Sequence, residues 1–183
     1  MTRRLTTTPP CLLLLDACVV IEVHQRSCWD GLLAATRTAV PSIVANNEAR
    51  YFRSASGEQA IDLPALIAAG RLQECSATLH QLNAIRGVFD DAFVDSVDPG
   101  ELEAFAVLRA LNEEDPMLFC TCDRLAIHAL ALIGLSHRGI SLEEVLRECG
   151  LSRPVGREYT EEFFGRQLAL GKEKLIRGEG LRR

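Results

Sequence analysis

Four carboxylates in this chain stand where loops meet ordered segments: Asp16, Glu48, Glu101 and Asp123. Asp16 closes the apolar run Leu12-Leu-Leu-Leu, and Asp123 closes the run over 117–122. Glu48 and Glu101 lie on helix-patterned segments that follow loops. If the two apolar runs are parallel strands, their carboxyl ends share one sheet edge, the edge at which open α/β sheets bind ligands. The amino-terminal halves of the helices lie near that same edge, so the four acids can converge. Converging carboxylates raise one another's pKa unless a cation neutralises them. An all-oxygen donor set suits Mg²⁺ or Mn²⁺, and magnesium keeps several of its waters. Such a water can act as nucleophile in phosphodiester hydrolysis while the ion stabilises charge developing on the phosphate.

Each acid also fits a plainer role. Asp16 could cap a turn, Asp123 could cap the helix starting at Arg124, and Glu101 could form a capping box with Asp98. Glu48 could sit on a solvated helix face, although no basic residue stands three or four positions away.

The elements that must position these groups alternate between strand and helix. Strands are expected over 12–15, 38–40, 72–76 and 117–122. Helices are expected over 18–24, 29–36, 43–53 with Ser42 as N-cap, 64–69, 79–89, 99–111, 124–132 and 141–149. Residues 54–58 read as a loop and 152–156 as a linker. This alternation is the signature of an α/β fold with a mostly parallel central sheet. The division expected is a flexible lead-in over 1–10, one domain over 11–151, and a helical tail over 152–183. The basic end of the tail (Lys172, Lys174, Arg177, Arg182, Arg183) is read as solvated or docked on a partner, with contact to RNA as the alternative.

Composition narrows the function. Hydrophobic residues at 48% and charged residues at 25% are ordinary for a soluble globular chain. A net charge of −5 excludes a general electrostatic attraction for nucleic acid, so a polyanion must meet a local basic patch or a bound cation. Aromatic content of 5% argues against an extended base-stacking platform. The seven cysteines are an odd number without a secretion signal. Arg3-Arg4 followed by the leucine run has the look of a leader, but Asp16 interrupts the run and no small-residue cleavage site follows. A cytoplasmic location with reduced thiols is expected, and no apolar run is long enough to span a membrane. Cys120-Thr-Cys122 is expected to place two small core residues on one strand face. His24, His80, His128 and His137 show no metal-ligand spacing.

Taken in order, the acids and their neighbours resemble the PIN-domain family. The residues that carry the resemblance are Leu12-Leu-Leu-Leu-Asp16, Pro41 followed by Ser-Ile-Val-Ala-Asn-Asn-Glu48, Pro99-Gly-Glu101-Leu-Glu103-Ala, and Phe119-Cys-Thr121-Cys-Asp123. The pattern spans 12–151. It implies a three-layer α/β/α fold and a ribonuclease site using Mg²⁺ or Mn²⁺, in a family with many toxins restrained by an antitoxin. By that match Asp16, Glu48, Glu101 and Asp123 hold or orient the metal, and Thr121 supports them through its hydroxyl. Glu103 competes with Glu101 for the third position, since the two project from different faces of a helix. The expected partners are RNA, an antitoxin protein and a second copy of the chain, with no membrane. Arg50, Arg53 and Arg124, close in sequence to the acids, are the candidates for steering phosphates. Departures from the family pattern are Cys18, where a small polar residue is usual, the poorly matched segment 54–97, and the tail. The first rival reading is the same fold with a degenerate site, acting as a protein-interaction module. The second, a phosphoacceptor receiver-type α/β protein, wants a late strand-end Lys, whereas the late strand here ends on Asp123 and no Lys precedes Lys172.

Overall fold

In the computed structural model, Leu5 and residues 11–182 are described. The expected flexible lead-in over 1–10 therefore lies outside the described residues, apart from Leu5, whose side chain is buried.

The chain opens with β1 (Leu12–Leu15), α1 (Ala17–Gln25), α2 (Trp29–Ala35) and β2 (Arg37–Pro41). A π-helical turn over Val44–Glu48 leads into the hairpin β3 (Tyr51–Ser54) and β4 (Gly57–Ala60). Next come α3 (Leu63–Ala68), β5 (Gln73–Cys75), α4 (Leu79–Arg86), α5 (Asp91–Val94) and α6 (Pro99–Ala110). The last part holds β6 (Met117–Cys120), α7 (Arg124–Leu132), β7 (Gly139–Ile140), α8 (Leu142–Glu148) and α9 (Glu161–Arg177).

Five strands form one sheet in the order β5-β2-β1-β6-β7, and every pairing is parallel. The leucine run occupies the centre, where both faces are covered, which is why four consecutive leucines are tolerated. Their alternation feeds two separate cores: Leu13 and Leu15 pack with α1, α2 and α8, while Leu14 packs with α6 and α7. The result is a three-layer α/β/α arrangement. Between β1 and β6 the strand order reverses, and crevices at such a reversal open at the carboxyl ends of the strands. Asp16 and Asp123 follow those two ends.

The helix expected over 43–53 is shorter and different. It runs only to Glu48 as a π-turn, closed by the Ala49 N–H donating to the Val44 carbonyl at 3.2 Å. Ser42 is not its cap: the Ser42 hydroxyl and the Ile43 N–H both donate to Glu103, which takes that duty from 61 and 60 residues away. Tyr51-Phe-Arg-Ser then pairs antiparallel with 57–60, turning at Gly57 with φ of 110°. A side chain at that φ would be strained, so the glycine permits the hairpin. The two-residue strand β7 also went unforeseen. Segment 152–183 carries the expected helix, α9, packed on α7. Gly171 makes the close approach: a Cβ there would come within 2.9 Å of His128 Cα and Ala131 Cβ. Among the described residues no helix is long and apolar enough to cross a membrane.

Candidate active site

Asp16 caps α1 with extended backbone, its Oδ1 accepting the Ala17 N–H at 2.8 Å. Its other oxygen, Oδ2, accepts the Thr121 hydroxyl at 2.6 Å and the Cys18 thiol at 3.3 Å. The side chain is buried, and burial raises its pKa. The donors from Thr121, Cys18 and Ala17 oppose that rise, while the Asp123 charge adds to it.

Thr121 ties the two strand ends together. Besides donating to Asp16, its Oγ1 accepts the Asp123 N–H at 3.1 Å. Asp123 caps α7, Oδ1 accepting the Leu125 and Ala126 N–H groups at 2.6 and 3.1 Å. Its cap role and its place at the site are therefore compatible. Oδ2 of this exposed residue has no hydrogen-bond partner among the described residues.

Glu101 approaches from α6. It is 3% exposed, and its carboxylate accepts one hydrogen bond, from the Asp98 N–H at 3.2 Å. Burial, followed by the charges of Asp16 and Asp123, pushes its pKa up to about 9. At neutral pH it therefore holds a proton unless a cation stands in for it. Glu103, equally buried, faces elsewhere: it accepts from Ser42, Ile43 and Ala77 at 3.0, 2.9 and 3.3 Å. The two competitors differ in surroundings: Glu101 feels the charges of Asp16 and Asp123, whereas Glu103 braces the loop before the π-turn and adds its charge at Glu48.

Glu48 ends the π-turn, a feature often found at functional sites. Its Oε1 accepts the Gly100 N–H at 3.1 Å. A Cβ on Gly100 would fall 2.3 Å from Glu48 Oε2, so only glycine lets the carboxylate dock against the start of α6. Burial raises the Glu48 pKa, the Gly100 N–H lowers it, and the charges of Asp16, Asp98 and Glu103 raise it further.

Asp16 thus acts electrostatically on Glu48 and Glu101, and Asp123 acts on Asp16 and Glu101. The hard-oxygen set fits Mg²⁺ or Mn²⁺ in its chemistry. Among the described residues no three His, Cys, Asp or Glu side chains form a ready-made metal cage. Magnesium does not require one: one or two carboxylates with waters and substrate phosphates hold it in many phosphoryl-transfer sites. Arg50, Arg53 and Arg124 are all exposed.

Two neighbours of the acids went unforeseen. Gly100 was legible only as part of a helix start. Cys18 stood out only as a departure from the family pattern, yet it contacts Asp16 directly. The expectation that Cys120 and Cys122 are both core residues holds for Cys120, which is buried; Cys122 is half-buried beside Cys18. A separate concavity, lined by Leu33, Thr36, Arg37, Arg71 and Gln73, lies at the amino-terminal ends of β2 and β5, the opposite edge of the sheet. It brings no acids together, and its Arg71 is paired with Asp30 at 2.9 Å.

No protein-family model, curated protein or solved structure matches this chain.

Proposed function

We propose that this protein is a PIN-like, metal-dependent ribonuclease that hydrolyses RNA phosphodiester bonds. The observation carrying the reading is Glu101: a buried acid with one hydrogen bond, facing Asp16 and Asp123 at the strand-order reversal, with its pKa pushed up to about 9. Glu101 also closes the capping box with Asp98 that the sequence suggests, but that role does not call for two neighbouring aspartates, and perturbed acids in a crevice mark functional sites. Asp16, Glu48, Glu101 and Asp123 would hold Mg²⁺ or Mn²⁺. When bound, the ion supplies an activated water and charge stabilisation at the phosphate. Thr121 keeps Asp16 oriented and holds the β6 end against β1. Asp123 Oδ2, which has no hydrogen-bond partner among the described residues, would orient the attacking water beside the ion and take its proton. Glu101 gives up its own proton as positive charge enters the site. Exposed Arg50, Arg53 and Arg124 steer the RNA backbone.

An antitoxin partner, a second copy of the chain and a cytoplasmic location belong to the same reading. A neighbouring gene for a small DNA-binding protein would support the first of these. The direct test is cleavage of a mixed-sequence RNA in Mn²⁺. The wild type is expected to cut, chelation to stop it, and Asp16→Asn to lower the rate by roughly 10³-fold, the scale of removing one preorganised electrostatic group. Equal cleavage by the variant would sink the proposal.

One observation favours a second reading, an interaction module with a degenerate site. Asp16 Oδ2 already accepts two donors, one of them the thiol of Cys18. Under that reading neither protein cuts RNA, whatever the ion.

A further inference from the structure

Beside the acids lies a pair of groups that the proposed hydrolysis does not use. Cys18, in the first turn of α1, and Cys122, between β6 and α7, are 104 residues apart in the chain. They meet because β1 and β6 are neighbours in the sheet. The Cys122 N–H donates to Cys18 Sγ at 3.4 Å, which brings the two residues into direct contact. Tyr159 lies beside them, its hydroxyl donating to the Cys18 carbonyl at 3.4 Å. Each of the seven cysteines is a thiol rather than half of a disulfide; these two, like Cys75 and Cys149, are half-buried, whereas Cys11, Cys28 and Cys120 are buried.

We propose that Cys18 and Cys122 are a modification site, closed to a disulfide by a small-molecule disulfide such as oxidised glutathione, and that closure disables the acid site. The bond itself stands independently; its effect on catalysis rests on the ribonuclease reading. In the first step Cys122 Sγ attacks one sulfur of the oxidant, whose S–S bond breaks. One glutathione leaves as thiolate and takes up the proton that Cys122 lost. Cys18 Sγ then attacks the Cys122 sulfur of the mixed disulfide and expels the second glutathione, which takes the Cys18 proton. The protein pair loses two electrons and the oxidant becomes two thiols.

With Cys18 Sγ already 3.4 Å from the Cys122 backbone nitrogen, the two sulfurs need only close to the S–S distance of about 2.05 Å. Closure removes the Cys18 S–H, one of the two side-chain donors to Asp16 Oδ2. It also draws residue 122 toward α1, and Thr121 and Asp123 flank that residue on either side. One bond therefore disturbs three residues of the site.

The test uses the full chain, reduced, desalted and then incubated with oxidised glutathione. Thiols are counted in denaturant, and tryptic peptides are sequenced by mass spectrometry. The count is expected to fall by two from seven, with Cys18 joined to Cys122 and dithiothreitol restoring both. Cys18→Ser and Cys122→Ser should each keep every remaining thiol. In parallel, RNA cleavage in Mn²⁺ should fall roughly 10²-fold in the oxidised wild type, the scale of an ångström's misplacement of a reacting group. Oxidant-treated Cys122→Ser should cut as fast as before treatment. An unchanged thiol count, a bond between other cysteines, or the same loss of thiols in Cys122→Ser would overturn the proposal, as would undiminished cleavage by the oxidised wild type. If the reduced wild type cuts no RNA, the ribonuclease reading fails, and the thiol count and peptide map still decide the bond.

Discussion

Helix α6 carries two buried glutamates, Glu101 and Glu103, each 3% exposed, that live in opposite chemical surroundings. Glu103 is ringed by donors, a hydroxyl and two backbone N–H groups from the segments before the π-turn and before α4. Glu101 has one donor and faces two aspartates. A buried carboxylate that is fully hydrogen-bonded belongs to the fold, because its donors offset the loss of water. One left facing other carboxylates works against the fold and is tolerated where it has a task. The difference separates a brace from a group of the proposed site.

The largest effect should come from removing the brace. Glu103→Ala leaves Ser42, Ile43 and Ala77 without their acceptor and is expected to cost about 3 kcal/mol or more in urea unfolding. A loss below about 1 kcal/mol would erase the distinction between the two glutamates. Gly100→Ala comes next: the new Cβ meets Glu48 Oε2 at 2.3 Å and Val44 Cγ2 at 2.9 Å, so Glu48 must leave its dock. We expect about 1–3 kcal/mol of destabilisation, together with weaker metal binding than in the wild type.

Glu101→Gln should act in the opposite direction. The folded chain holds the Glu101 proton up to about pH 9, whereas the unfolded chain releases it near the ordinary value of 4.5. Between those values the native state binds more protons, so metal-free stability falls as pH rises. Glutamine keeps the acceptor for the Asp98 N–H without a charge. At pH 8 the variant should be more stable by about 1 kcal/mol, roughly 2–4 °C in Tm, and its pH profile should be flatter. A variant less stable than the wild type at that pH would place Glu101 with Glu103 as a structural group. The smallest effect belongs to Arg50→Ala, expected to weaken RNA binding broadly and reduce the salt slope by about one. Unchanged RNA binding would remove Arg50 from the phosphate path.

Much of this arrangement was legible in the chain because local signals agreed with the fold. The leucine run, the Asp-Pro-Gly-Glu helix start and the apolar helix after Asp123 all stand where pattern and capping place them. The stretch after Ser42 was not legible, because its cap is a glutamate 61 residues away. Without that information the apolar spacing reads as a longer helix, and the alternation in Tyr51-Phe-Arg-Ser is submerged. Glu101 and Glu103 could be told apart only as lying on different faces; which face meets the aspartates depends on how α6 sits on the sheet. The Cys18–Cys122 contact follows from β1 lying beside β6, a fact of strand order that no local pattern carries.

The central claim, that these acids form one metal site, is tested most directly by calorimetric titration of Mn²⁺ into the wild type and Asp16→Asn at neutral pH under reducing conditions. The account predicts saturable binding in the wild type, with protons released as Glu101 ionises, and its loss in the variant. Binding of equal strength in both proteins, or in neither with RNA present to complete the ligand set, would contradict it.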